Sequence, residues 1–290
     1  MTTTSNLFRG PFHVITKAIE QNFLAQPTSE SNSWQSQDVS SRPEMQPREL
    51  ANTTVIYDLP RTHDQLIAEV EPNLPWAFDH FQERVSGMPF NPPPSEKYWP
   101  YAQQGNAAHK AGEKFSHTYP ERFWPKYANQ GETRPNGRQV FVPHNGIRYE
   151  YGDLEDLVNQ LINDPTTRQA YLPVWFPEDT GAVHGQRVPC TLGYHFMVRG
   201  HELTITYYIR SCDYIRHFRD DVYMAARLAE WVAHQMNVGM TQGAEVRATG
   251  MVMHIANFHV FEGDVPALRN TVKIRADKAA QTLADKVGWL

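Results

Sequence analysis

The chain has 290 residues, of which 40% are apolar and 12% aromatic, and this is enough for one large domain or two small ones, which excludes disorder as the dominant state. Lys and Arg number 27 against 32 Asp and Glu, so there is no basic excess for non-specific nucleic-acid binding, and any phosphate must be held by a few placed arginines. No apolar run approaches the roughly 20 residues that cross a bilayer, so we expect a cytoplasmic protein. With Cys190 and Cys212 as the only cysteines, a disulfide framework and a four-thiolate metal site are excluded.

The first half of the chain is rich in irregular signals. Residues 26–49 are rich in Ser, Gln and Pro and predict a long loop, and the proline-rich residues 88–94 fit neither a helix nor a central strand. Residues 98–127 combine many aromatic side chains with polar ones, a composition that suits a cleft wall or an interface. We expect residues 1–50 to hold an N-terminal helix and the Ser/Pro-rich loop, and residues 51–290 to form a single domain.

The second half shows clear periodicity. Apolar residues lie on one helical face over 154–162, and a short strand is expected over 170–175. Alternating residues over 189–198 and 202–210, with Gly200 and His201 between them, predict a β-hairpin.

The elements that follow predict a layered domain. Residues 222–236 read as a buried helix because the strongly polar side chains fall on one strip. Residues 251–261 predict another strand and residues 266–290 a terminal helix. Helices together with a mixed or antiparallel sheet make the expected fold class α+β.

The predicted hairpin gives Cys190 a chemical context. A turn centred on Gly200 places Cys190 opposite Arg210, and a guanidinium there would favour the thiolate and lower the thiol pKa from about 8.5. A single cysteine is more often a small buried apolar group, but this placement favours a nucleophile. Cys212 has no such partner and is expected to pack.

Three motifs occur in an order that resembles the thymidylate synthase family. They are Arg187-Val188-Pro189-Cys190, Arg210-Ser211-Cys212-Asp213 before a long buried helix, and His259-Val260-Phe261. The resemblance runs from about residue 159 to 264. It implies a mixed sheet packed with helices, a sheet face that forms a homodimer interface, and a catalytic domain over residues 51–290. It also implies a Cys190 nucleophile that attacks C6 of a pyrimidine nucleotide, methylenetetrahydrofolate as co-substrate, and no metal.

Asp221 departs from the family pattern. It lies eight residues after Asp213, where thymidylate synthases have Asn, and the segment 217–221 resembles the Phe-Arg-Asn-Asp of a phage deoxycytidylate hydroxymethylase. An amide suits uracil, whereas an acceptor-only carboxylate suits the amino group of cytosine and an N3 that gains a proton when C6 is attacked. Asp221 therefore favours dCMP or CMP. The alternative is that it only caps the helix.

The resemblance also implies contacts for the rest of the nucleotide and for the folate. Arg210 and Ser211 would bind the 5′-phosphate with Arg168 of a second subunit, and the family's second consecutive arginine is Gln169 in this chain. Phe261 replaces a family tyrosine that reaches the sugar, so ribose and deoxyribose both stay open. The remaining candidates are Arg42 for the phosphate, Asp213 near the base, His259 at the sugar, His195 as a ligand contact or structural residue, and Trp99 at the folate.

The family's catalytic glutamate has no clear counterpart. Counting back from Trp99 reaches a segment in which Asp79 is the sole carboxylate, with Glu71 and Glu83 as alternatives in a shifted register. If Phe78 occupies the position, the protein would be slow, altered in its chemistry or inactive.

The expected function is thus a dCMP or CMP 5-hydroxymethyltransferase that binds neither membrane nor a specific nucleic acid. The alternatives within the family are thymidylate synthase or hydroxymethylase acting on dUMP, and a nucleotide-binding homologue without turnover. Two readings outside the family are less favoured. They are a Cys-His hydrolase with His254 or His259, and a metal site at His217, Asp220 and Asp221.

Overall fold

A six-stranded mixed sheet organises the chain. The structure is a computed structural model, and it describes residues 5–34, 37–100, 110–111, 114–128, 132–133, 139–140, 152–182, 187–240 and 245–287. The strands are β1 (Asn6–Arg9), β2 (Ser33–Trp34), β3 (Gln37–Asp38), β4 (Pro47–Asp58), β5 (Lys110–Ala111), β6 (Lys114–Phe115), β7 (Glu132–Thr133), β8 (Gln139–Val140), β9 (Tyr171–Pro173), β10 (Thr191–Arg199), β11 (Glu202–Asp213) and β12 (Arg247–Phe261). The helices are α1 (Phe12–Ala25), α2 (His63–Val70), α3 (Trp76–Val85), α4 (Tyr119–Phe123), α5 (Pro125–Ala128), α6 (Leu154–Asn163), α7 (Phe218–Gly239) and α8 (Val265–Val287).

The strand order of the main sheet is β1-β4-β12-β11-β10-β9. The β10–β11 and β12–β4 pairs are antiparallel, whereas β11–β12 and β1–β4 are parallel. Helix α7 joins β11 to β12, and it is the kind of helical crossover that a parallel pair requires. The α+β fold with a mixed sheet is confirmed.

One face of the sheet carries the hydrophobic core. Along β11, Leu203, Ile205 and Tyr207 are buried, whereas Thr204 and Thr206 between them are only partly covered. Side chains alternate between the two faces of a strand, so this pattern directs every second residue of β11 towards the helices. Helix α7 supplies much of the opposing surface of the core.

Most predicted elements are confirmed, with changed ends. The hairpin turns at Gly200, which has a positive φ of 62°. Helix α6 begins at a capping box formed by Asp153 and Asp156, and the strand expected over 170–175 keeps only its centre, β9. In residues 26–49, β4 already begins at Pro47.

The predicted start of the buried helix is wrong. Helix α7 begins at Phe218 with His217 as its N-cap, so Asp220 and Asp221 lie inside the first turn. Neither carboxylate is the cap.

Near the chain start, β1 pairs with β4 and extends the main sheet. Among the helices that the structure describes, none is long and apolar enough to cross a membrane.

Candidate active site

A cleft of about 240 Å³ lies between α3, the first turn of α7 and the segment that precedes β10. Its wall also includes Trp99, His117 and Tyr119 from the aromatic-rich residues 98–127. The predicted cleft-wall role of that segment therefore holds for these three residues. Cys190, Ser211 and Asp221 meet in this cleft, although they come from three different elements.

Backbone pairing at the end of the hairpin positions Cys190. The Arg210 amide donates to the Cys190 carbonyl at 2.9 Å, which confirms the expected juxtaposition. The Arg210 guanidinium donates to the carbonyls of Pro189, at 2.9 Å, and Val188, at 3.1 Å. It therefore supports the segment that carries the thiol.

The expectation of a lowered thiol pKa is wrong. Burial raises the pKa of Cys190, and Asp221 adds to the rise, while Arg210 and Arg187 lower it by less. Burial destabilises the thiolate by more than the two neighbouring cations stabilise it. In the free cleft the neutral thiol is therefore favoured over the thiolate.

Asp221 is a titratable group in the same cleft wall as the Cys190 thiol. Burial raises the pKa of its carboxyl to about 7, against a lowering by the Arg84 cation. The Cys212 thiol lies 3.7 Å from Oδ2 of Asp221, so Cys212 both packs and contacts this carboxylate. The neighbouring Asp220 accepts from the backbone and side-chain nitrogens of Asn73, each at 2.8 Å.

Two further arginines, which the sequence motifs did not single out for the phosphate, line the cleft: Arg187 and Arg216. Arg216 forms ion pairs with Asp213 at 2.7 Å and Asp264 at 2.6 Å. Asp213 also accepts from the backbone amides of Ile215 and Arg216. Asp213 thus holds the turn before α7 and orients a cation at the cleft.

A row of four rings forms one wall of the cleft. His80 stacks on Trp76 with centroids 5.1 Å apart, Trp76 lies 6.1 Å from Trp99, and Trp99 stacks on His217 at 6.0 Å. Flat rings at this spacing offer stacking surface to a heterocycle. Trp99 was expected here, whereas Trp76 and His80 were not.

Seven of the candidate residues do not line the cleft of this chain: Arg42, Asp79, Arg168, His195, Arg210, Asp213 and His259. Arg42 is exposed and pairs with Glu44 at 3.1 Å. Arg168 is exposed, and its carbonyl lies 2.9 Å from Nε2 of His195. His259 is buried, with Nδ1 3.0 Å from Oδ1 of Asn257.

The carboxylates considered for proton transfer also have other partners. Asp79 accepts from the Tyr98 hydroxyl at 2.6 Å, and Glu71 is exposed and pairs with Arg219. Glu83 is buried behind His80. Phe78 is 38% exposed and does not line the cleft, so it does not fill the place of a base.

Helix α3 directs Trp76, His80 and Arg84 into the cleft. They are spaced four residues apart, which places them along one helical face. That spacing was visible in the sequence, but nothing in the sequence indicated which face of α3 meets the site. Arg84 is 5% exposed, and in the described part of the chain its buried Nε has no hydrogen-bond partner. It lies 4.0 Å from the centre of the Tyr119 ring.

The two readings outside the family find no geometric support. His254 contacts Thr54, and His259 contacts Asn257, so neither histidine is hydrogen-bonded to Cys190. Both oxygens of Asp220 are held by Asn73. Across the ranges that the structure describes, no group of three His, Cys, Asp or Glu side chains could hold a metal ion.

Comparison with known proteins agrees with this geometry. The sequence model of the thymidylate synthase family matches residues 107–285. The chain belongs to the thymidylate synthase family. Proteins from Methanosarcina mazei and Methanosarcina acetivorans, each named "Putative thymidylate synthase", are 26% identical to it over 125 residues. The matched segment covers 43% of this chain and 52% of each relative, so the chain spans about half the length of these relatives.

The raised pKa of Asp221 makes a stability prediction. An unfolded Asp ionises near pH 3.9 and the folded one near 7, so between these values folding retains a proton and the free energy of unfolding falls as pH rises. Asp221→Asn removes this cost. Its free energy of unfolding, relative to the natural protein, should rise by about 2 kcal/mol from pH 5 to pH 8 in urea titrations.

The matched control is Asp58→Asn, at an exposed position that ends β4. Its difference from the natural protein should stay constant over the same range. A constant difference for Asp221→Asn as well would mean that burial of this carboxyl carries no cost.

Proposed function

We propose that this chain is a pyrimidine nucleotide 5-hydroxymethyltransferase that acts on dCMP or CMP with methylenetetrahydrofolate. The observation that carries the proposal is the carboxylate of Asp221 in the same cleft wall as the Cys190 thiol. An ionised carboxylate accepts hydrogen bonds only. It complements the exocyclic amino group of cytosine and an N3 that becomes protonated, whereas O4 of uracil requires a donor.

The reaction proceeds through a covalent adduct in this proposal. The Cys190 thiolate adds to C6, and C5 becomes nucleophilic and takes the one-carbon unit from methylenetetrahydrofolate. The C5 proton leaves as tetrahydrofolate departs, which creates an exocyclic methylene. Water adds to that methylene while the bond between C6 and Cys190 breaks, and the 5-hydroxymethyl nucleotide is released.

The remaining cleft residues suit the two substrates. We assign the nucleotide phosphate to the arginine end, where Ser211 and Arg187 line the cleft and Arg210 supports the thiol segment. Arg216, held by Asp213, faces the same space. Guanidinium groups bind phosphate through charge-assisted hydrogen bonds. The ring wall that includes Trp99 suits the flat heterocycle of the folate.

Action on dUMP is the second candidate, and one observation favours it. With its pKa raised to about 7, Asp221 is partly protonated near neutral pH. A protonated carboxyl can donate to O4 of uracil as an amide does. The cytosine reading is preferred because the Arg84 cation and a cytosine amino group both favour the ionised form.

Asp221→Asn tests the base specificity. The ratio of kcat/KM for dCMP to that for dUMP should fall about 10- to 150-fold, because one charge-assisted hydrogen bond is worth about 1.5–3 kcal/mol. Asp58→Asn removes an exposed carboxylate that does not line the cleft and should leave the ratio unchanged. An equal ratio in the natural protein and Asp221→Asn would remove the basis for cytosine recognition, and no turnover of any nucleotide would favour a binding protein.

We further propose a homodimer that shares its active sites across the outer face of the sheet. Helices cover one face, whereas His195 and Tyr208 on the other are only partly covered, and His254 there is exposed. Arg168 lies at the edge of that outer face, next to His195, and outside the cleft of its own chain. In this arrangement each Arg168 reaches the phosphate in the partner's cleft, and the borrowing is mutual.

Subunit mixing tests the shared site. Arg168→Ala alone should weaken nucleotide affinity about 10- to 150-fold. Mixing Cys190→Ala and Arg168→Ala chains under conditions that exchange subunits should restore activity, because one site of each hybrid then holds both natural residues. Arg61 is exposed and lies outside the cleft, so Arg61→Ala is the control for the loss of one arginine. This variant should bind nucleotide as tightly as the natural protein. Verified exchange without recovery, or a monomer by light scattering, would contradict the shared site.

A further inference from the structure

One imidazole in the cleft is held by a buried carboxylate. Nδ1 of His80 lies 3.1 Å from Oε2 of Glu83 and 3.2 Å from Oγ of Ser95. Glu83 is fixed in turn, because the Ser95 amide donates to Oε1 and the Ser95 hydroxyl donates to Oε2, each at 2.6 Å. The imidazole ring stacks on Trp76. All four residues are buried.

This network fixes the tautomer of His80. The Ser95 hydroxyl hydrogen is directed to Glu83, so its oxygen can only accept from Nδ1 of His80. The carboxylate of Glu83 also accepts only. Both contacts therefore require the proton on Nδ1, which leaves a lone pair on Nε2. Among the described residues, none is hydrogen-bonded to Nε2, and His80 lines the cleft.

The charges around His80 keep the ring neutral. Burial and the neighbouring Arg84 cation lower the pKa of His80 to about 4, against an opposing effect of Glu83. Hydrogen bonds from His80 and Ser95 lower the pKa of Glu83 by more than burial raises it. A neutral imidazole whose Nδ1–H is held by a carboxylate keeps a lone pair on Nε2 that can accept a proton.

His80 lines the same cleft as Cys190 and Asp221, the two residues proposed to act on the base. It is one helical turn from Arg84, whose charge acts on Asp221. His117 and His217 also line the cleft. Nδ1 of His117 lies 3.2 Å from the Arg187 carbonyl, and the charges that act on His117 include Arg187 and Arg210. The His217 ring stacks on Trp99.

The two aspartates that line the cleft are already engaged. Both oxygens of Asp220 accept from Asn73, and Asp221 is assigned to recognition of the base. Asp79 is bonded to Tyr98 outside the cleft.

We propose that Nε2 of His80 accepts the proton from C5 of the pyrimidine, with Glu83 and Ser95 as positioning residues. The inference rests on the proposed function and names the base for that same site. When C5 carries both its hydrogen and the one-carbon unit, the C–H electron pair forms the exocyclic C=C bond. The bond from carbon to the folate nitrogen breaks with its electron pair moving to nitrogen, and the proton goes to Nε2.

The experiment measures release of tritium from [5-³H]dCMP, [5-³H]CMP and [5-³H]dUMP in the presence of methylenetetrahydrofolate. His80→Gln should slow tritium release about 10²- to 10⁴-fold, the range that a positioned general base contributes. Nucleotide affinity should change less than about 3-fold, because the proton acceptor contributes little to ground-state binding. His234→Gln makes the same substitution at an exposed position of α7 and should release tritium at the natural rate.

Glu83→Gln tests the positioning role without removing the imidazole. The new amide nitrogen donates to Nδ1, which moves the ring proton to Nε2 and removes the acceptor. Tritium release should therefore fall in this variant too. In His80→Ala, added imidazole should restore part of the rate, which a merely structural role of His80 would not permit.

A measurement on the natural protein does not depend on how any variant folds. Its imidazole ¹⁵N spectrum should show His80 protonated at Nδ1 and unprotonated at Nε2. The opposite tautomer would overturn the proposal, and so would natural tritium release by His80→Gln, or loss of release in His117→Gln but not in His80→Gln. If the natural protein releases no tritium from any of the three nucleotides, the proposed function fails; if it does and His80→Gln does equally, only the role of His80 fails.

Discussion

The hydrogen bond from the Arg210 amide to the Cys190 carbonyl closes the β10–β11 hairpin at the edge of the cleft. Because of this pairing, Cys190, which directly precedes β10, lies beside Arg210 and Ser211 of β11. The parallel pairing of β11 with β12 requires a crossover, and α7 provides it. The first turn of α7 places Asp221 in the same cleft as the Cys190 thiol. A distortion of the hairpin register would therefore separate nucleophile, phosphate contacts and base contact together.

Burial has opposite consequences for the groups of this cleft. It raises the pKa values of Cys190 and Asp221, and it lowers that of His80. All three effects favour the neutral form of the group concerned. The cations that oppose them on the acidic groups are Arg84, Arg187 and Arg210. A nucleotide phosphate and a pyrimidine would redistribute this balance, which is consistent with a site whose charges are completed by its ligands.

The parts of the fold with strong periodicity could be predicted from the sequence. Alternation along 202–210 predicted the hairpin, and the confinement of the strongly polar side chains of 222–236 to one strip predicted the buried helix, since each pattern follows from the geometry of its element. The start of α7 could not be predicted exactly, because His217, Asp220 and Asp221 are all polar residues near the start of the helix. In the structure His217 is the N-cap. The pKa direction of Cys190 was also missed, because a sequence shows nearby charges but not the depth of burial.

The active-site face of α3 was the larger omission. Trp76, His80 and Arg84 share one helical face, yet that face is not apolar, so it carried no signal of burial. The sequence pattern indicated Asp79 as the carboxylate of the site. In the structure it is the His80 imidazole that lines the cleft, with the Glu83 carboxylate behind it. Contacts between residues 80, 83 and 95 depend on how the irregular segment after α3 folds back, which no local pattern encodes.

The central claim is that Cys190 forms a covalent adduct with a cytosine nucleotide during one-carbon transfer. The most direct measurement is the intact mass of the protein after incubation with 5-fluoro-dCMP and methylenetetrahydrofolate. Fluorine at C5 cannot leave as a cation, so the adduct should be trapped with both ligands bound, and peptide mapping should place it on Cys190. No adduct with 5-fluoro-dCMP under conditions in which 5-fluoro-dUMP is trapped would contradict cytosine recognition, and an adduct on another residue would contradict the assigned nucleophile.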